Sequence, residues 1–162
     1  MVADGLLTRQ RYREVPPRVD YELTERARAL FPVIGALAAW GFEWAWGAPQ
    51  ADEAIDIGAI FRVAPGLLTP PADVRGLVEL VVMGRDGTPH HYALRMSHGR
   101  VTVSERAAPE ADASITGGER EWIDALGPAS DRDALQISGD ERLARVVLDG
   151  VSASSFRDAR VA

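Results

Sequence analysis

The chain has 162 residues, 46% apolar and 26% charged, with 18 basic residues, 24 acids and a formal net charge of −6. That balance fits one ordinary domain or two small ones, and it excludes a disordered chain, a collagen-like repeat and a simple polycationic nucleic-acid coat. The absence of cysteine excludes disulfides and thiolate metal sites, and because every basic residue is arginine there is neither a Schiff-base lysine nor a P-loop lysine.

Charge is divided unevenly along the chain. Residues 1–49 hold six arginines and six acids, while residues 50–162 hold twelve arginines and eighteen acids, so the whole −6 lies in the second part. Attraction to nucleic acid would therefore have to come from a local basic feature of the first part. Met1-Val2-Ala3-Asp4-Gly5 lacks the basic start and apolar run of a signal peptide, and a cytoplasmic location is expected.

Leu6 to Arg13 and Val19 to Leu23 read as two short strands joined by a turn through Pro16-Pro17, which could not sit inside a paired strand. Alternation puts Arg9, Arg11 and Arg13 on one face and Thr8, Gln10 and Tyr12 on the other, with Arg18 adding charge at the turn. Three guanidinium groups about 6.6 Å apart can contact phosphates. They can equally pair with acids of the neighbouring strand, Arg13 with Asp20 and Arg11 with Glu22, and the register decides between the two.

Thr24 is a helix N-cap and Glu25 a favourable first-turn charge. The helix that follows has one apolar stripe through Ala27, Leu30, Phe31, Ile34, Leu37, Ala38 and Gly41 and a second through Val33, Leu37, Trp40 and Trp44, more than one hairpin can cover. Pro32 is expected to bend it. The uncharged run Ala29 to Phe42 would span about 21 Å as a helix, short of the roughly 30 Å of a bilayer core, so a membrane role is not expected. Phe31, Ile34, Leu37, Trp40 and Trp44 are instead the expected dimer or interdomain interface.

Gly47-Ala48-Pro49-Gln50 marks a junction. It divides the chain into 1–46, a linker with the strand leading into the second domain over 47–75, the second domain over 76–150, and a tail over 151–162. In the second domain, strands are expected over Gly76 to Gly84, His90 to Met96 and Arg100 to Glu105, with turns at Arg85-Asp86-Gly87-Thr88 and Ser97-His98-Gly99. A fourth strand is expected over Asp112 to Thr116 and a helix over Glu119 to Leu126, stopped by Gly127-Pro128. A short helix around Asp131 to Leu135 and the Ile137-Ser138-Gly139-Asp140 segment precede a last amphipathic helix through Leu143, Val146, Val147 and Leu148.

Trp122 is expected in the core, with the lining of a ligand cavity as its other role. His90 and His91 are adjacent, so on a strand they face opposite sides and cannot share a metal, and neither a metal nor a cofactor is expected. Asp140 and Glu141 suit a helix start better than acid–base chemistry, and Ser152, Ser154 and Ser155 lack a nucleophile elbow. No constellation of catalytic groups is present in the pattern, and no enzymatic activity is expected.

Asp4-Gly5-Leu6-Leu7, Arg11-Tyr12, Pro16-Pro17-Arg18-Val19, Tyr21-Glu22-Leu23-Thr24-Glu25, Ala29-Leu30 and Trp40-Gly41 together resemble the C-terminal half of the HxlR-type winged helix-turn-helix transcription regulators. The resemblance covers about residues 1–46. It implies that the hairpin is a wing, that Arg9, Arg11, Arg13 and Arg18 contact the DNA backbone, and that the long helix takes part in homodimerisation. Ala27 stands where the family usually has glycine, a change that favours helix. The family's recognition helix precedes the wing, and Met1 to Gly5 match only the exit from it. The expectation is a regulator truncated at its N-terminus, through a start placed too far downstream or through loss of base readout.

Residues 76–150 resemble the sterol-carrier-protein-like domain that follows such winged helices in some bacterial regulators. The resemblance rests on Asp112-Ala113-Ser114-Ile115-Thr116, on the turn around Gly99-Arg100-Val101, and on Ile137-Ser138-Gly139-Asp140 leading into Leu143. It implies a hydrophobic small-molecule ligand. The expected fold class is α+β: a partial winged helix, made of a wing hairpin and a long helix, followed by a mostly antiparallel sheet with packed helices. A lipid-binding dimer that keeps only the dimerisation part of the winged helix is the alternative.

Overall fold

Period-two alternation in the first residues produces an antiparallel ribbon of β1 (Leu7–Tyr12) and β2 (Arg18–Leu23). The structure, a computed structural model, describes residues 1–12, 18–45, 47, 53, 55–127 and 130–152. The expected turn at Pro16-Pro17, Arg13 and the tail from residue 153 lie outside the described residues. Thr24 ends the ribbon and caps α1 (Glu25–Arg28), its side chain accepting a hydrogen bond from the Ala27 amide. The expected single bent helix is two helices. The chain breaks after α1 and restarts as α2 (Phe31–Trp44), with Pro32 in the first turn, where its missing N–H removes no intrahelical bond.

The rest of the described chain builds a two-layer α+β unit. Its sheet has the order β5-β4-β3-β6-β7, formed by β3 (Gly76–Met83), β4 (Pro89–Ser97), β5 (Arg100–Ser104), β6 (Ala113–Gly118) and β7 (Gln136–Gly139). All neighbours are antiparallel except β3 and β6. His98 and Gly99, both at positive φ, form the two-residue turn between β4 and β5, as a tight hairpin requires. Helices α3 (Ile57–Leu67), α4 (Glu119–Leu126) and α5 (Glu141–Val151) supply apolar side chains to one face, against Val78, Leu80 and Val82 of β3 and Leu94 and Met96 of β4. The connection from β5 to β6 covers part of the other face. There Ala108 packs with Leu77 and Ala93, and its amide donates to the Glu79 carboxylate at 2.8 Å.

Two expectations for this region are corrected. Residues 57–67, expected within a linker and strand, form α3: the Asp56 side chain caps the helix at Ala59, and Ile57, Phe61 and Ala64 share a buried face. Pro65 and Gly66 near its end disguise the helical period. The short helix expected around Asp131 to Leu135 is absent; this stretch is irregular and leads directly into β7. The cap at Asp140 is present, accepting from the amides of Arg142 and Leu143.

Trp122 anchors the layer. It is fully buried, its indole N–H donates to the Val81 carbonyl at 3.0 Å, and the Phe61 ring meets it edge-on at 4.9 Å. Replacing it by alanine should cost about 3–5 kcal/mol and by phenylalanine about 1–3 kcal/mol, read from urea unfolding of the full chain. Equal, near-zero costs would show that the ring is not a core anchor.

Candidate functional site

The hairpin is held at its base by Thr24, whose hydroxyl donates to the Gly5 carbonyl at 2.7 Å while accepting from Ala27. Arg26 adds a hydrogen bond to the Asp4 carbonyl at 3.2 Å. The register sets Arg9 opposite Tyr21 and Arg11 opposite Val19, and it sets Asp20 and Glu22 opposite Gln10 and Thr8. Directly opposed residues share a face, so the acids of β2 belong to the face away from positions 9 and 11. The register therefore does not set Arg11 opposite Glu22, the arrangement that would have neutralised the row. The Arg9 guanidinium lies 6.0 Å from the ring centre of Tyr21, within cation–π range. Arg18 stands opposite Tyr12 at the start of β2.

Helix α2 is apolar on two opposite sides, and each side meets a different environment. Phe31 and Gly35 lie against α3, where the Gly66 backbone approaches so closely that a Cβ on Gly35 would sit 2.8 Å from the Gly66 carbonyl oxygen. On the other side Val33, Leu37, Trp40 and Trp44 are 63%, 66%, 55% and 65% exposed, and Ile34 is 41% exposed between the two. Of the five expected interface residues, Phe31 thus touches the second domain, and Leu37, Trp40 and Trp44 form an open stripe. Their spacing of four, three and four residues through Val33 is that of a helix-pairing seam.

In the second domain Trp122 lies beneath the sheet–helix layer, and three surface clefts among the described residues are formed without it. One of them, about 380 Å³, is bounded by Ile55 to Gly58, Arg62, Val82, His90, Tyr92 and Glu119. His90 and His91 do fall on opposite faces: His90 lines this cleft, and the Nδ1 of His91 lies 3.1 Å from the Glu79 carboxylate. Arg62 is fastened by two carboxylates, at 2.9 Å from Asp56 and 2.8 Å from Glu105, with its guanidinium 5.9 Å from the Tyr92 ring centre. The hydrogen bond from Arg62 holds the Glu105 carboxyl below its ordinary range, and burial pushes the Tyr92 hydroxyl up. Sequence reasoning missed Arg62, Tyr92, Glu105, Gly35 and Gly66. The Asp56 cap followed by Ile57, Ile60, Phe61 and Ala64 was the one signal that could have revealed α3 and, with it, Arg62.

Residues 1–48 match the HxlR-like helix-turn-helix family. Within this segment the chain is 49% identical over 39 residues to an uncharacterized HTH-type transcriptional regulator of Halalkalibacterium halodurans, covering 24% of this chain and 34% of that protein. A regulator of the same description from Methanothermobacter thermautotrophicus is also 49% identical over 39 residues, 24% of this chain and 30% of its own. The chain thus spans about a third of the length of the curated relatives it matches. Among solved structures it is similar to palmitated SCP2L2 from Aedes aegypti, with 18% identity, a TM-score of 0.44 and coverage of 59% of this chain and 90% of that one. A ubiquinone synthesis protein, UbiJ-SCP2, is similar at 14% identity and a TM-score of 0.34, covering 76% and 94%. No helix among the described residues is long and apolar enough to cross a membrane.

The Arg62–Glu105 pair carries a pH signature. A carboxylate whose folded pKa is depressed contributes stability above its unfolded value, near 4.5, that is lost as pH falls through the lower folded value. For an exposed pair this amounts to about 0.2–1 kcal/mol. The Glu105→Gln variant should therefore lose less stability than the parent between pH 5 and pH 3, as read by thermal unfolding. Parallel curves would show that the pair adds nothing.

Proposed function

We propose that the chain is a transcriptional regulator of HxlR type that contacts the DNA backbone through Arg9, Arg11, Arg13 and Arg18 and pairs as a homodimer through α2. One observation carries the DNA part: the register sets positions 9 and 11 opposite Tyr21 and Val19 rather than opposite the acids of β2. The match of residues 1–48 to regulators supports the same reading. Backbone contacts of this kind give salt-sensitive attraction without base discrimination. Gel shifts across a salt series should show the slope of log K against log salt falling by about one for each guanidinium removed, in Arg9→Ala and in Arg11→Ala. Unchanged slopes would contradict the assignment.

The dimer part rests on the exposed seam of Val33, Leu37, Trp40 and Trp44, an uncharged strip that an isologous two-fold contact would cover with its own copy. Leu37→Glu should convert a sedimenting dimer to monomer and leave the far-ultraviolet spectrum unchanged; a parent chain that sediments as monomer at every concentration would remove this part.

The second domain is proposed to take an apolar small molecule, and its apolar sheet–helix interior supports that role. Phe61 and Trp122 occupy this interior, so a ligand would have to displace side chains. A saturable hydrophobic-probe titration combined with no DNA binding at low salt would favour the alternative of a non-DNA-binding carrier. The absence of a saturable site would count against any ligand role.

A further inference from the structure

Helix α3 touches two distant parts of the molecule through glycine. Near its start, Gly58 lies against the hydroxyl end of Tyr92, so that a Cβ there would collide with the phenol. One turn on, Arg62 is fastened to Asp56 and Glu105. Eight residues after Gly58, about 12 Å along the axis, Gly66 meets the Phe31 carbonyl of α2, and a Cβ there would collide with that backbone. A crossing made of backbone has no long side chains to bend, and close-packed contacts transmit displacement rather than absorbing it.

Beyond the crossing, α2 is tied to the hairpin by a short run of hydrogen bonds. The Ile34 amide donates to Leu30 and the Leu30 amide to Ala27, and Thr24 then joins α1 to Gly5 at the base of β1. At the other end of α3, the cleft of about 380 Å³ opens between Ile57, Gly58 and Arg62 on one side and Val82, His90 and Tyr92 on the other. A molecule in this cleft would contact the start of α3 at Ile57, Gly58 and Arg62.

We propose that α3 is a lever: displacement at the contact of Gly58 with Tyr92 passes through the crossing of Gly66 with α2 and repositions the arginine hairpin relative to the sheet. The inference goes beyond DNA contact and does not require the dimer. Its readout is a distance within one chain, so failure of the regulator reading and failure of the lever are separate outcomes.

Because the chain has no cysteine, Gln10→Cys on the hairpin and Thr102→Cys on β5, both exposed, can carry spin labels in the full chain. Dilution with unlabelled protein restricts pulsed dipolar measurements to intrachain distances. The parent should give one narrow distribution. Gly58→Ala, which wedges α3 from Tyr92, should shift its mean by about 2 Å, the scale of helix shifts at packed contacts. Gly66→Ala should broaden it by unseating α2, and adding Gly58→Ala to that variant should then produce no further shift. If Gly58→Ala does not fold, Arg62→Ala frees the same end of α3 by removing its two exposed ion pairs, to Asp56 and Glu105, and should also move the distribution. A broad parent distribution, or an unchanged one in a folded Gly58→Ala or Arg62→Ala variant, would overturn the lever.

Discussion

Helix α2 cannot be hidden by a single neighbour, and most of the molecule's organisation follows from that constraint. A helix apolar around its circumference belongs in an interior, whereas one with a single apolar stripe belongs on a surface. In α2 the side carrying Phe31 and Gly35 is covered by α3 of its own chain, and the side carrying Val33, Leu37, Trp40 and Trp44 is open. The two sides are nearly opposite, so covering the second does not disturb the first. The helix therefore joins the hairpin to the second domain and at the same time leaves an apolar side open.

The second domain supplies the fixed frame. Trp122 and Phe61 fill the layer between the sheet and its helices, and the indole hydrogen bond to Val81 ties α4 to the central strand. Arg62 ties the outer side of α3 to the end of β5 through Glu105. With α3 held at that end, the position of Gly66 is set by the core of the domain, and α2 and the hairpin follow from it. The interior among the described residues is packed, with Phe61, Leu80, Leu94, Ile115 and Trp122 all fully buried.

Local chemistry made the regular parts legible. Alternation with glycine-bearing turns marked β3, β4 and β5, and the spacing of Trp122, Ile123 and Leu126 marked α4. Thr24 and Asp140 announced their helices because a cap is a property of one residue and its next turn. What remained hidden was set by partners distant in sequence. Positions 9 and 11 could be placed on one face from alternation, but whether acids shared that face depended on the register. α3 went unread because Pro65 and Gly66 interrupt its period, and the same Gly66 proved to be the contact that orders α2. Phe31 and Leu37 looked alike as members of overlapping apolar stripes; only the position of α3 separated them.

The proposal that a second copy covers the open side of α2 is tested most directly by acrylamide quenching of tryptophan fluorescence as a function of protein concentration. Trp122 is buried at any concentration, whereas Trp40 and Trp44 are exposed in the single chain. The account predicts that the quenchable fraction falls as concentration rises, because pairing along α2 closes over both indoles. A quenchable fraction that stays constant across the whole range would show that the open side of α2 is not covered by a second copy.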